Sequence, residues 1–165
     1  MRNKNEEFFI KAYDDYSDAI FRFCYFKTGD KELATDLAEQ AFMKLWDYLQ
    51  TEGEVLNAKA FLYGVSRNMV IDWYRKKKEV SADSLYEGGF DPPDESSGGD
   101  SSLSAEIKNM LKLMKGLSDG DREILTLRYV EGLKIGEIAE IVKESENSVS
   151  VRINRAINKL REFYE

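Results

Sequence analysis

Apolar positions recur at helical spacing along most of the chain, and no stretch shows the sustained alternation of a half-buried strand. Leu33, Leu37, Ala41, Leu45 and Leu49 fall every four residues, with Ala38, Phe42 and Trp46 beside them. This stripe predicts a helix that starts after Asp30, a fitting N-cap, and stops before the polar stretch Thr51 to Asn57. A second stripe, Phe61, Leu62, Val65, Met69 and Trp73, predicts the next helix, and an aromatic-rich helix is expected over Phe8 to Phe26. Further on, Ile107, Leu111 and Met114 start a helix and Leu117-Ser118 interrupts it. Ser118 or Asp119 then caps a helix over Arg122 to Tyr129, which Glu131-Gly132 ends. The expected fold class is all-α.

The last two elements carry the most information. Ile135 to Val142 places Ile138, Ala139 and Val142 on one packing face, and the small Ala139 lets a neighbouring helix cross closely. Lys143-Glu144-Ser145 is a break of the length used in a helix-turn-helix, with Ser145 placed to cap the second helix. On the helix over residues 146–164, Val149, Ile153, Ala156, Ile157 and Leu160 share one face about 100° wide. The opposite side carries Asn147, Ser148, Val151, Asn154, Arg155 and Asn158, flanked by Ser150, Arg152 and Lys159. Short polar and basic side chains of this kind suit base edges and phosphates, and an exposed valine suits a thymine methyl. An ordinary solvated helix face accounts for the same pattern, so periodicity alone leaves both readings open.

Charge first argues against DNA, since the chain has 31 acidic and 24 basic residues, a formal charge of −7. Its distribution reverses that argument. Residues 1–80 hold 13 basic and 14 acidic side chains and residues 105–165 hold 11 of each, whereas residues 81–104 hold six acids and no Lys or Arg. That segment also contains both prolines and four of the eleven glycines, and its low apolar content predicts a flexible acidic linker. Two small helical domains are therefore expected, over 1–80 and 105–165. The flanks are near neutral, and residues 143–161 are locally basic by +3.

The first domain has its own basic cluster: Arg67, Arg75, Lys76, Lys77 and Lys78 share a segment with Phe61, Tyr63, Trp73 and Tyr74. Cations that hold phosphates beside aromatic faces that stack on unpaired bases suit single-stranded nucleic acid, although a cationic helix C-terminus favoured by its dipole gives the same sequence. Other chemistry is thin. The chain lacks histidine, its one cysteine, Cys24, lies among Phe23, Tyr25 and Phe26 as a core residue would, and no nucleophile and base stand together. No metal or cofactor is expected, and the scattered acids of 81–104 lack the spacing of a calcium loop. With neither a signal-peptide apolar region nor a run of about 20 apolar residues, a cytoplasmic protein without membrane insertion is expected.

Four blocks, DLAEQAFMKLWDYL at 36–49, AFLYGVSRNMVIDWYRKKK at 60–78, LSDGDREILTLRYVEGLKIGEIAEIV at 117–142 and SENSVSVRINRAINKLREF at 145–163, together resemble the extracytoplasmic-function (ECF) sigma factors of the sigma-seventy family. These keep only regions two and four, and the resemblance preserves their order, spacing and linker. It implies a non-enzymatic subunit that directs core RNA polymerase to chosen promoters, under the control of an anti-sigma factor. Asp36, Glu39, Gln40 and Lys44 would dock on the polymerase clamp helices. Asn57, Lys59, Tyr63, Arg67, Asn68, Asp72, Arg75 and Lys76 would capture the melted non-template strand of the minus-ten element, and Ser148, Ser150, Val151, Arg152, Asn154, Arg155 and Lys159 would meet the minus-thirty-five duplex. The linker would run toward the active-site cleft and RNA exit channel, its acids mimicking RNA.

The chain departs from the family where members often have glycine (Lys143), a basic residue (Ser150) and an aromatic or histidine (Asn154). Fewer cations on the recognition helix imply weak intrinsic DNA affinity. The alternatives are a stand-alone helix-turn-helix regulator, which would leave 36–49 and 60–78 unexplained, and a sigma-like adaptor that binds an anti-sigma partner and never touches promoters.

Overall fold

A computed structural model describes residues 3–80, 105, 109 and 112–164, and all regular structure among them is helical. The chain forms two compact units, Met1–Asp91 and Pro92–Glu165. Their boundary falls within residues 81–104, where the acidic linker is expected; that segment lies outside the described residues, as do Ile107 and Leu111.

Three helices build the first unit: α1 (Lys4–Thr28), α2 (Lys31–Thr51) and α3 (Ala58–Val80). Each boundary has a local cause. The Asn3 side chain accepts from the Glu6 amide at 2.8 Å and that of Asp30 from the Leu33 amide at 3.1 Å, satisfying donors that the first helical turn leaves unpaired. Gly29 (φ 68°) closes α1 in the left-handed region, its N–H donating to the Tyr25 carbonyl at 2.8 Å. Leu37, Ala41, Leu45 and Leu49 of the α2 stripe are buried, as are Phe23, Cys24 and Phe26 of α1, each large apolar side chain contributing roughly 1.5–3 kcal/mol. Polar ties add register: the Asn5 amide donates to the Leu49 carbonyl at 3.0 Å, and the Tyr74 hydroxyl donates to the Lys27 carbonyl, fixing the end of α3 on α1.

α3 is rotated from the expected stripe. Its buried residues are Ala60, Leu62, Tyr63, Ser66, Met69 and Val70, whereas Phe61, Val65 and Trp73 are only half-buried. The inward face passes through a polar residue, Ser66, whose hydroxyl is fully buried and has no hydrogen-bond partner among the described residues. A serine at the centre of the face makes apolar periodicity point to the wrong side. Tyr63, expected among the DNA contacts, is consequently a core residue, 1% exposed and edge-on to Phe23 at 5.4 Å.

In the second unit residues 112 and 113 are helical and lead into a 3-10 turn, Met114–Gly116. Ser118 then caps α4 (Asp119–Leu125), accepting from the Asp121 amide at 3.3 Å. The expected helix over Arg122 to Tyr129 changes form midway, since Thr126–Val130 is a π turn closed by a bond from the Glu131 amide to the Thr126 carbonyl at 2.9 Å. α5 (Ile135–Val142) and α6 (Glu146–Tyr164) come next, separated by three residues. Ile138, Ala139, Ile141 and Val142 of α5 pack with Val149, Ile153 and Ala156 of α6 in the core.

Candidate promoter-binding and docking surfaces

The three-residue turn between α5 and α6 decides how α6 is presented. Lys143 occupies the left-handed region (φ 59°, ψ 44°), the one described non-glycine residue with positive φ. Its N–H caps the Ala139 carbonyl, and the Ser145 hydroxyl accepts from the Ser148 amide at 3.1 Å. The turn thus takes the conformation that suits glycine with a lysine in place. α6 emerges with Val151 38% exposed and Asn154, Arg155 and Lys159 exposed, while Ser148, Ser150 and Arg152 are half-buried. All seven residues expected at the minus-thirty-five duplex therefore retain accessible surface on one helix.

Two of its cations are already engaged. Arg152 Nη1 donates to Glu144 Oε2 at 2.7 Å and its Nη2 to the Gly120 carbonyl at 3.4 Å, while Lys159 Nζ donates to Asp121 Oδ2 at 2.9 Å. Burial alone would push the Asp121 carboxyl up, yet hydrogen bonds from Lys159 and Ser118 and the charges of Lys159 and Arg152 together hold it below its ordinary value. Sequence reading missed these acids, although Asp121 at the third position of a capped helix is itself a recognisable signal.

On the first unit, the residues expected at the minus-ten strand spread over the start and outer side of α3. Asn57 is the N-terminal cap, accepting from the Ala60 amide at 3.1 Å. Lys59 and Arg67 are half-buried, and Asn68, Asp72, Arg75 and Lys76 are exposed, with Arg75 and Asp72 paired to each other at 2.8 Å. Trp73 stands edge-on to Tyr74 at 4.8 Å with the Lys77 ammonium 4.8 Å above its ring, so its stacking face already has a cationic neighbour. Seven of the eight retain accessible surface, Tyr63 being the exception.

Asp36, Glu39, Gln40 and Lys44 are all exposed on one side of α2, and Met43, 64% exposed, stands among them. Beside this face an apolar groove of about 710 Å³ opens between α1 and α2, lined by Phe9, Tyr13, Phe42, Met43 and Trp46 and edged by Glu39. Phe9 lies edge-on to Trp46 at 5.3 Å, and Tyr13 to Phe42 at 5.0 Å. Met43 and the aromatic wall also escaped sequence reading; the available clue was an apolar side chain on the polar side of the α2 wheel.

Comparison with known proteins respects the same division into units. Residues 12–80 match the family described as Sigma-70 region 2, and residues 107–160 match Sigma-70, region 4. The chain is 34% identical over 161 residues to the ECF RNA polymerase sigma factor SigM of Bacillus subtilis (strain 168), covering 93% of each chain. The chain belongs to the ECF sigma factors.

SigW of the same organism is 29% identical over 179 residues, covering 98% of this sigma factor and 91% of the relative. Among solved structures, the sigma factor RpoE in complex with the anti-sigma factor NepR from Bartonella quintana is similar at 25% identity and a TM-score of 0.73, covering 93% of this chain and 94% of that one. The three helices of the first unit thus correspond to region 2 and α5–α6 to the helix-turn-helix of region 4. Among the described residues, no helix is long and apolar enough to cross a membrane.

Proposed function

We propose that this sigma factor docks on core RNA polymerase through the α2 face, opens a subset of promoters with α3, and reads their minus-thirty-five duplex with α6. The observation that carries this reading is the joint match to region 2 and region 4 in one chain, with an exposed presentation surface on each unit. On α2, Asp36, Glu39, Gln40 and Lys44 supply the polar docking contacts. On α3, Asn57, Lys59, Arg67, Asn68, Asp72, Arg75 and Lys76 form the track for the separated strand. On α6, Ser148, Ser150, Val151, Asn154 and Arg155 face bases while Arg152 and Lys159 face phosphates.

Residues 1–80 and 105–165 act as separate grips joined by the acidic segment 81–104. Control by an anti-sigma partner is supported by the similarity to a sigma factor solved with its anti-sigma factor, and the α2 face is the surface such a partner would cover. The protein carries out no covalent chemistry, and it works in the cytoplasm, where polymerase and promoters are.

Reconstitution tests the proposal. The chain mixed with bacterial core polymerase should co-elute with it and give run-off transcripts from a defined subset of genomic fragments. Arg155→Ala should lower transcript yield about tenfold, as expected for loss of one base or phosphate contact worth roughly 1–3 kcal/mol. Failure to bind core enzyme would overturn the reading, and the absence of any promoter-dependent transcript from the unmodified chain bound to core enzyme would favour a sigma-like adaptor.

A further inference from the structure

The recognition helix has few cations, and its two phosphate-side cations each close on an acid of their own unit. Lys159 crosses from α6 to Asp121 of α4 at 2.9 Å, and Arg152 reaches back to Glu144 of the turn at 2.7 Å while also contacting the Gly120 carbonyl. The two acids come from different elements, yet each holds a cation at the distance a phosphate oxygen would. Asp121 is the more enclosed, its side chain 15% exposed. Rotating either cation toward DNA leaves a carboxylate behind, close to the phosphate backbone, so binding exchanges one ion pair for another and also brings like charges together.

We infer that Asp121 and Glu144 are affinity-setting residues that occupy Lys159 and Arg152 in the free protein and lower the grip of α6 on duplex DNA. The inference rests on the proposed role of Arg152 and Lys159 as phosphate contacts. It makes the weak DNA affinity expected of the lone subunit a property of two named carboxylates. Firm promoter binding then requires the additional contacts made once the chain is bound to polymerase.

The test uses the full chain and a fluorescein-labelled mixed-sequence duplex of about 30 base pairs, with half-saturation read by anisotropy at low and moderate salt. D121N/E144Q, which preserves side-chain shape, should lower the half-saturating concentration about five- to tenfold at low salt and less at higher salt. Each single substitution should give part of the gain. In an R152A/K159A background the same two substitutions should gain less than about twofold, because the cations they release are gone.

An equal gain in both backgrounds would overturn the inference in favour of a general charge effect. No gain, or no binding by D121N/E144Q at any accessible concentration, would also overturn it. R152A/K159A binding as tightly as the unmodified chain would instead overturn the phosphate role of the two cations, and the inference with it. Thermal melting of each variant confirms that the unit remains folded.

Discussion

The Ser66 hydroxyl is enclosed and has no hydrogen-bond partner among the described residues, which is costly, so Ser66→Ala should stabilise the first unit by about 1 kcal/mol. Both tryptophans, Trp46 and Trp73, belong to that unit, and a raised denaturant midpoint in intrinsic fluorescence would register the gain. The same serine hid Tyr63 from the sequence, because the face that buries the tyrosine passes through Ser66 and a serine gives no apolar signal. Cap residues were legible because their chemistry is local: the side chains of Asp30, Ser118 and Ser145 each accept a hydrogen bond from a first-turn amide. Lys143 is the second strained point. Left-handed backbone costs an ordinary residue about 1 kcal/mol, and Lys143→Gly should relieve most of it, slowing amide exchange in α5 and α6 up to about fivefold. Unchanged exchange would mean that the surrounding turn already compensates.

At the scale of elements, periodicity located α2, α5 and α6 because each has one continuous apolar face, and aromatic content marked α1. It failed where geometry departs from a regular helix: nothing in the residues Thr126–Val130 announces the wider π turn. Cross-element pairs were equally hidden, since Asp121 and Lys159 lie 38 residues apart. Their pairing has a pH signature. The Asp121 carboxyl is held below its ordinary value of 3.8, so its contribution is present above that value and is lost as pH falls through the lowered one. As pH falls below about 4 the packing of α6 on α4 should loosen, and Asp121→Asn should flatten part of that dependence. Amide exchange of residues 119–164 at stepped pH distinguishes the two proteins, and parallel profiles would count against the link.

For the whole molecule, the bulk charge of −7 is a poor guide because six of the acids lie in residues 81–104 and the flanks are near neutral. Family membership was legible in the order of four blocks, whereas the apolar groove beside α2 was not, being formed only when α1 and α2 meet. Contacts made by separate units should contribute independently. If Asn68→Ala and Arg155→Ala each reduce open-complex yield about tenfold, the double variant should fall about a hundredfold, as measured by permanganate reactivity of the melted strand. A markedly smaller combined loss would show that the two grips act as one.

The burial of Cys24 has a practical corollary. It is the chain's only cysteine and is fully enclosed in the core of the first unit. A maleimide dye should therefore leave the folded protein almost unlabelled but react with a cysteine introduced at an exposed position such as Gln50 or Asn158. A donor and acceptor attached at those two positions would report the distance between the units, free, held by a partner, or spread along a promoter, without first removing a native thiol.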